Sequence, residues 1–274
     1  MEITTNLRKM RTSLDDTHTA QYLLPVYDNL EYSHEISINS LIGQRIQITF
    51  QGQINFLESG KSIKKTFGEG LSYEAFLRSP LASPSIIRPE LSRIHEGIAL
   101  RDEAWERAHH LTPHYVYLSR TSHIKVGVTR TANVPSRWID QGAIEAIILA
   151  ETPYRQLAGL IEVALKDTMS DKTAWQAMLK NTIQDTSSLK HKKHEVADAL
   201  PMELQDYISD DDTLTTIQYP VLAYPSKVKS IKLDDIKTYE NKLVGIKGQY
   251  LLFEQDQVLN VRAHAGYRID LKQL

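Results

Sequence analysis

The sequence predicts an α+β protein in which a central β-β-α-β-α-α unit is flanked by β-rich N-terminal and C-terminal regions. Three observations carry that expectation. Residues 114–130, "HYVYLSRTSHIKVGVTR", alternate apolar and polar side chains on either side of a polar elbow, the period of two expected of a hairpin. Residues 152–167, "TPYRQLAGLIEVALKD", place Leu157, Leu160, Ile161, Ala164 and Leu165 at the spacing of an amphipathic helix. Both ends of the chain read as short strands between turn residues.

The elements follow in order. In "ISINSLIGQRIQITFQGQINF" (36–56), Ile46, Ile48 and Phe50 fall on one strand face and Arg45, Gln47 and Thr49 on the other, with a break expected near Gly52. Residues 58–85 are rich in glycine, serine and proline and predict an irregular knuckle. "RDEAWERAHH" (101–110) predicts a short helix that ends before Pro113. After the hairpin, "PSRWIDQGA" (135–143) carries proline at the start and glycine at the end, as helix termini prefer. "EAIILAE" (145–151) predicts a strand, Thr152 and Pro153 open the amphipathic helix, and "KTAWQAMLKNTI" (172–183) starts another. Residues 182–212 are polar, a charged helix or loop. From 215 onward "TTIQYPVLAYP", "KLVGIKGQYLLFE" and "QVLNVRAHAGYRIDL" return to strands. The resulting division is 1–111, 112–212 and 213–274, with the last region expected to pack on the first.

Composition bounds the function. With 41% hydrophobic and 24% charged residues over 274 positions, the chain reads as soluble and globular. A net charge of −2 provides no global attraction for a polyanion, so a nucleic-acid partner requires a local basic patch. No apolar run approaches the roughly 20 residues of a membrane-spanning helix, and the first residues lack a signal-peptide core, so a cytoplasmic protein without a membrane partner is expected. The absence of cysteine excludes disulfides, thiolate zinc sites, iron–sulfur clusters and cysteine nucleophiles.

The hairpin is the richest segment. Val116, Leu118, Ile124, Val126 and Val128 form one face, whereas Tyr115, Tyr117, Ser119, Lys125, Gly127 and Thr129 form the other. The second face is a polar floor with a bare spot at Gly127. It is either covered by a helix or solvent, with the glycine present for close packing, or it is the floor of a site.

Tyr117, the Lys125-Val126-Gly127 triplet, Arg137 at the next helix start and Glu162 in the long helix together resemble the GIY-YIG nuclease superfamily, in its branch with a Lys-Ile-Gly type second motif. The resemblance spans about residues 113–180. It implies a small antiparallel sheet with flanking helices around one divalent metal and a scissile phosphate. Tyr117 then stands as general base or nucleophile-orienting phenol, Arg137 as phosphate clamp, and Glu162 as the carboxylate that holds Mg²⁺ or Mn²⁺. Lys125 replaces the second-motif tyrosine and assists proton transfer or binds phosphate; Tyr115 replaces the first-motif glycine, and Tyr115 and Arg130 contact substrate. The implied function is binding of nucleic acid, DNA or RNA, with metal-dependent phosphodiester cleavage; the alternatives are a non-catalytic binding module or a protein-interaction scaffold. Two of these residues also fit simpler roles. Glu162 and Lys166 form an i, i+4 pair of a common surface type, although Glu162 lies close to the apolar stripe, where an unpaired carboxylate is expensive. Arg137 in a first helical turn opposes the helix dipole.

A longer resemblance rests on "IIRPEL" (86–91), "KVGVTR", "RWIDQGA", "TPYRQLAGLIEVALKD" and "GIKGQYLLF" (245–253). These stretches are similar to the bacterial family of domain of unknown function 2797. That family's knuckle implies paired cysteines at Phe56, Ser59, Ser72, Ala75, Ser85 and Ser92. None is a cysteine here, so no zinc is expected, and Phe56, Phe67, Tyr73 and Phe76 are expected to compensate by packing. His95, His109, His110 and His114 read as solvated or packing residues rather than a metal cluster. Lys61, Lys64 and Lys65, then Lys190, Lys192 and Lys193, then Lys227, Lys229 and Lys232 are local basic runs that supply phosphate contacts only if they border the Tyr117 face.

Overall fold

The computed structural model describes residues 1–28, 30–166, 169 and 174–274. They form two units: unit 1 comprises Met1–Leu77 with Gln218–Leu274, and unit 2 comprises Arg78–Ile217. The strands are β1 (Glu2–Asn6), β2 (Arg11–Leu14), β3 (Ala20–Asp28), β4 (Glu31–Ser37), β5 (Arg45–Asn55), β6 (Ser62–Ile63), β7 (His114–Arg120), β8 (Ile124–Arg130), β9 (Glu145–Thr152), β10 (Thr215–Thr216), β11 (Lys229–Ser230), β12 (Thr238–Lys247), β13 (Tyr250–Phe253), β14 (Gln257–Asn260) and β15 (Tyr267–Gln273). The α-helices are α1 (Tyr73–Arg78), α2 (Pro84–Ile87), α3 (Glu103–His110), α4 (Ser136–Asp140), α5 (Arg155–Ala164), α6 (Trp175–Leu179), α7 (Leu189–Asp198) and α8 (Met202–Gln205). The class is α+β.

Unit 1 is built on one long sheet of order β1-β15-β5-β12-β13-β14-β11, with β6 on β5, and a smaller sheet β2-β3-β4. The two ends of the chain therefore share a sheet: β5 lies between β15 and β12, antiparallel to both. Ile46 and Ile48 are buried and Arg45 is exposed, as the alternation requires. The break expected at Gly52 is absent. The strand continues through it with φ +74°, and the register against β15 shifts between Tyr267 and Ile269, so the glycine relieves a bulge instead of ending the strand. In the knuckle, Phe67 stacks near Tyr73 at 5.1 Å and Phe76 at 6.3 Å, but Tyr73 is exposed; this is a surface cluster, and Leu57 and Leu71 provide the burial. "TTIQYPVLAYP" forms only β10, because Pro220 and Pro225 interrupt the run.

Unit 2 contains an antiparallel sheet of order β10-β9-β7-β8, which leaves β8 at an edge. From 114 to 179 the element order is β-β-α-β-α-α. The register pairs Tyr117 with Gly127 and Ser119 with Lys125 across the hairpin. One sheet face is apolar. Val116, Leu118, Ile124 and Val126 pack with Leu157, Ala158, Ile161 and Leu165 of the α5 region and with Leu189, Val196, Leu200 and Leu204 around α7 and α8. On the other face Tyr117 meets Trp138 of α4 edge-on at 6.0 Å.

The buried stripe of α5 differs from the expected one. Ala158 is buried, whereas Leu160 is 39% exposed and Ala164 is exposed. The cause is a second covered face: Gly159 presses on the segment Pro89–Leu91 so closely that a Cβ there would lie 2.2 Å from the Glu90 amide nitrogen. Lys172 and Thr173, at the start of the helix expected from 172, lie outside the described residues. The polar stretch 182–212 resolves into α7, capped by the Ser188 hydroxyl, and α8.

Candidate functional site

The hairpin's second face leads to a cavity of about 530 Å³ along the free edge of β8. One wall is β8 itself from Lys125 to Arg130; α4 contributes Arg137 and Gln141, and α5 contributes Arg155 and Glu162. Leu81, Ile86, Ile87 and Pro89 line it too, with Trp105, His109 and His110 of α3, while His114 of β7 lies beside Arg130. One buried and one exposed carboxylate anchor the α3 side. The Glu106 carboxylate, 0% exposed, accepts hydrogen bonds from the Leu100 and Arg101 amides, and the Asp102 side chain caps α3 by accepting from Trp105 N at 2.9 Å.

Gly127 sets the floor. A Cβ built on it would sit 2.6 Å from the Tyr117 hydroxyl, so only glycine lets the phenol pass beneath the strand toward α4. There the hydroxyl donates to Gln141 Oε1 at 2.9 Å. Tyr117 is 0% exposed and does not line the cavity. Burial pushes its phenol above the ordinary range, and Glu162 nearby adds to the rise, while the hydrogen bond and charge of Arg137 and the bond to Gln141 oppose it. The phenol is thus protonated at neutral pH. It sits behind Arg137 and Gln141 as a support.

Of the residues the sequence singles out, Lys125, Arg130, Arg137 and Glu162 all line the cavity, with Tyr117 directly beneath. Tyr115 is not among the lining residues. Two positions along β7 move a side chain by about 7 Å, and its phenol is raised by burial and by the charges of Glu151 and Asp211. The basic run at 190–193 is directed elsewhere. Lys192 pairs with Glu195, and the buried Lys193 ammonium is enclosed by Ser209 O, Asp211 O and Asp212 Oδ1.

Sequence reasoning misses Arg155, Trp105, Gln141 and Lys166 as lining residues, and reads His109, His110 and His114 as packing or solvated. Arg155 is held flat by its Nε on Ser85 O and its Nη2 on Ile86 O, both at 3.0 Å. Burial lowers its pKa to about 10, Glu162 pulls it upward and Arg137 and Arg130 push it down, so it stays charged at neutral pH. A signal for it exists. Arg155 opens a ten-residue helix, where a cation opposes the dipole. Among the described lining residues, five cations (Lys125, Arg130, Arg137, Arg155 and Lys166) face one carboxylate, Glu162.

The histidines divide. His95 stacks on Tyr154 at 4.5 Å, away from the cavity wall. His110 and His114 are 2% and 0% exposed. Burial, with the nearby charges of Arg155 and Arg130, lowers His110 to about 3 and His114 to about 4, although the Thr112 carbonyl that accepts from His114 Nδ1 opposes the second shift. Both are neutral. No group of three or more His, Asp or Glu side chains suited to a metal occurs among the described residues. Of the six positions tied to paired cysteines, Ser85 and Ser92 are buried in unit 2, where the Ser92 hydroxyl lies 3.0 Å from His110 Nδ1. No helix among the described residues is long and apolar enough to cross a membrane.

Fold and cavity together define an α+β protein with a cation-lined pocket at the free edge of a four-stranded antiparallel sheet. The chain belongs to the family described as "Protein of unknown function (DUF2797)", which matches residues 43–269. No curated protein and no solved structure matches it.

Proposed function

We propose that the cavity of unit 2 binds the phosphodiester backbone of nucleic acid and cleaves it with one divalent cation. The observation that carries this reading is the gathering of Lys125, Arg130, Arg137 and Arg155 around a single lining carboxylate, Glu162, over the Gly127 floor. Arginine and lysine in such number match an oligoanion, and guanidinium groups fit phosphate oxygens in pairs. The small antiparallel sheet and the spacing of Tyr117, Lys125, Arg137 and Glu162 that resembles the GIY-YIG nucleases support the same reading.

The donor set fits a hard cation that enters with its substrate. Glu162 is one carboxylate, enough for an ion that completes its sphere with water and phosphate oxygens. The surrounding cations repel a metal ion until a phosphate's negative charge is present. When bound, Mg²⁺ or Mn²⁺ supplies Lewis acidity and a water of lowered pKa. The chain's own residues do the rest. Arg155, fixed by two carbonyls, and Arg137, braced by Tyr117, hold the phosphate and stabilise its developing charge. Tyr117 acts as a positioning residue, since a sealed, protonated phenol is no base at neutral pH.

That last feature favours a second reading, binding without hydrolysis. The deciding experiment is cleavage of labelled single-stranded, duplex and branched DNA and RNA with Mg²⁺ or Mn²⁺ against EDTA. Cleavage that needs metal and falls by about a hundredfold or more in Glu162→Gln supports the nuclease. Cleavage that survives the substitution refutes it. Salt-sensitive binding without cleavage, weakened in Arg137→Ala, assigns the binding module.

A further inference from the structure

The two walls of the cavity differ in chemistry. The β8, α4 and α5 side is cationic; the α3 side presents the aromatic rings of Trp105, His109 and His110. On that side Trp105 and His109 stack at 4.1 Å with rings 10° apart, and His110 stands edge-on to Trp105 at 5.3 Å. His114, on β7 and paired with Arg130 across the hairpin, lines the cavity from the sheet side. A phosphate needs only the first wall.

A second observation points to a ligand on the other. His110 and His114 line the cavity and are more than nine-tenths buried, and the Nε2 of each has no hydrogen-bond partner among the described residues. The His114 ring donates from Nδ1 to Thr112 O at 2.7 Å, so in its neutral form Nε2 is left as an acceptor. A buried polar atom without a partner is expensive, and this cost lies in the residues that line the cavity. The volume of about 530 Å³ lies within the range of sites that enclose a small molecule, roughly 300 to 1,000 Å³. That volume suits one residue of a strand rather than a duplex.

We propose that the cavity takes a single unpaired nucleotide whole, with its phosphate on Arg130, Arg137 and Arg155 and its base against Trp105, His109 and His110. The inference rests on the phosphate-binding reading above and adds the recognised unit: a free strand end or a nucleotide turned out of its helix. A base turned out in this way is held by stacking and by hydrogen bonds to its edge. Nucleotides lacking the base lose that wall.

The test is calorimetric titration of the full chain with adenosine 5′-monophosphate and with ribose 5-phosphate. Wild type binds the nucleotide about tenfold more tightly, the usual worth of one base on an aromatic platform. Trp105→Leu removes most of that preference and leaves ribose 5-phosphate binding unchanged. Trp105→Phe keeps the preference, which separates a lost ring from a lost fold. Arg155→Gln weakens both ligands about equally. Equal affinity for the two ligands in wild type, both dependent on Arg155, overturns the base wall and leaves the phosphate site standing. A nucleotide preference that survives Trp105→Leu also overturns the assignment. Absence of binding by either ligand overturns both this inference and the reading on which it rests.

Discussion

Unit 2 surrounds two groups of cations with different balances of charge. Arg120 and Lys193 are closed by the chain itself. Arg120 donates to Glu145 Oε1 and to the carbonyls of Asp185 and Ser187, and Lys193 directs its three N–H donors to Ser209 O, Asp211 O and Asp212 Oδ1. At the cavity, by contrast, Lys125, Arg130, Arg137, Arg155 and Lys166 surround a single lining carboxylate among the described residues. A cation answered by carbonyls and carboxylates pins two segments of chain together. A group of cations that outnumbers the carboxylates beside it raises the energy of the empty protein and is offset when an anion arrives. Burial alone therefore does not distinguish a functional arginine; the balance of charge around it does.

This contrast predicts separable losses. The largest is in stability: Glu145→Ala leaves the Arg120 guanidinium, 6% exposed, without its nearest anion. Breaking such a pair costs about 3 kcal/mol, and denaturant melts will show it while nucleotide binding by the folded fraction stays at the wild-type level. Equal loss of binding would break the division between the two groups. Gly127→Ala comes next, because its new methyl group meets the Tyr117 hydroxyl at 2.6 Å and the ring carbon at 2.7 Å. Overpacking of this kind costs about 2 kcal/mol. It also displaces Tyr117 from Gln141, so binding falls together with stability at this one position.

Arg137→Ala reverses the pattern. Its stability change stays within about 0.5 kcal/mol, whereas nucleic-acid binding weakens and the slope of log K against log salt drops by about 1. A fall in stability with an unchanged salt slope would place Arg137 with Arg120. The last prediction concerns pH. In the unfolded chain His110 and His114 take up protons near the ordinary histidine value of about 6.5. In the folded chain they resist until about 3 and 4. Between those limits the unfolded state binds more protons, so stability is complete above about pH 6.5 and is lost as pH falls through that interval. Melting temperatures measured from pH 7 to 4 will fall more steeply for wild type than for a His110→Gln, His114→Gln double variant.

Much of the site is legible in the sequence. The alternation of a hairpin places Lys125, Gly127 and Tyr117 on one face, and the positions of Arg137 and Glu162 in helices follow from proline, glycine and apolar spacing. Those signals are local, acting over a few residues of regular backbone. The α3 side carries no such signal. "RDEAWERAHH" reads as a short helix with many polar faces, and nothing in its periodicity says that Trp105, His109 and His110 lie across a cavity from β8.

The sequence by itself determined the α+β class, the period of the hairpin and the burial of Val116, Leu118, Ile124 and Val126, because alternation and helical spacing follow directly from backbone geometry. Only the tertiary structure decided which cations share a cavity with a single lining carboxylate and which are paired away from it. Arg155 depends on the carbonyls of Ser85 and Ile86, about seventy positions away, and Gly159 on the backbone of Glu90. Such pairings depend on how distant segments pack, and no local pattern encodes them.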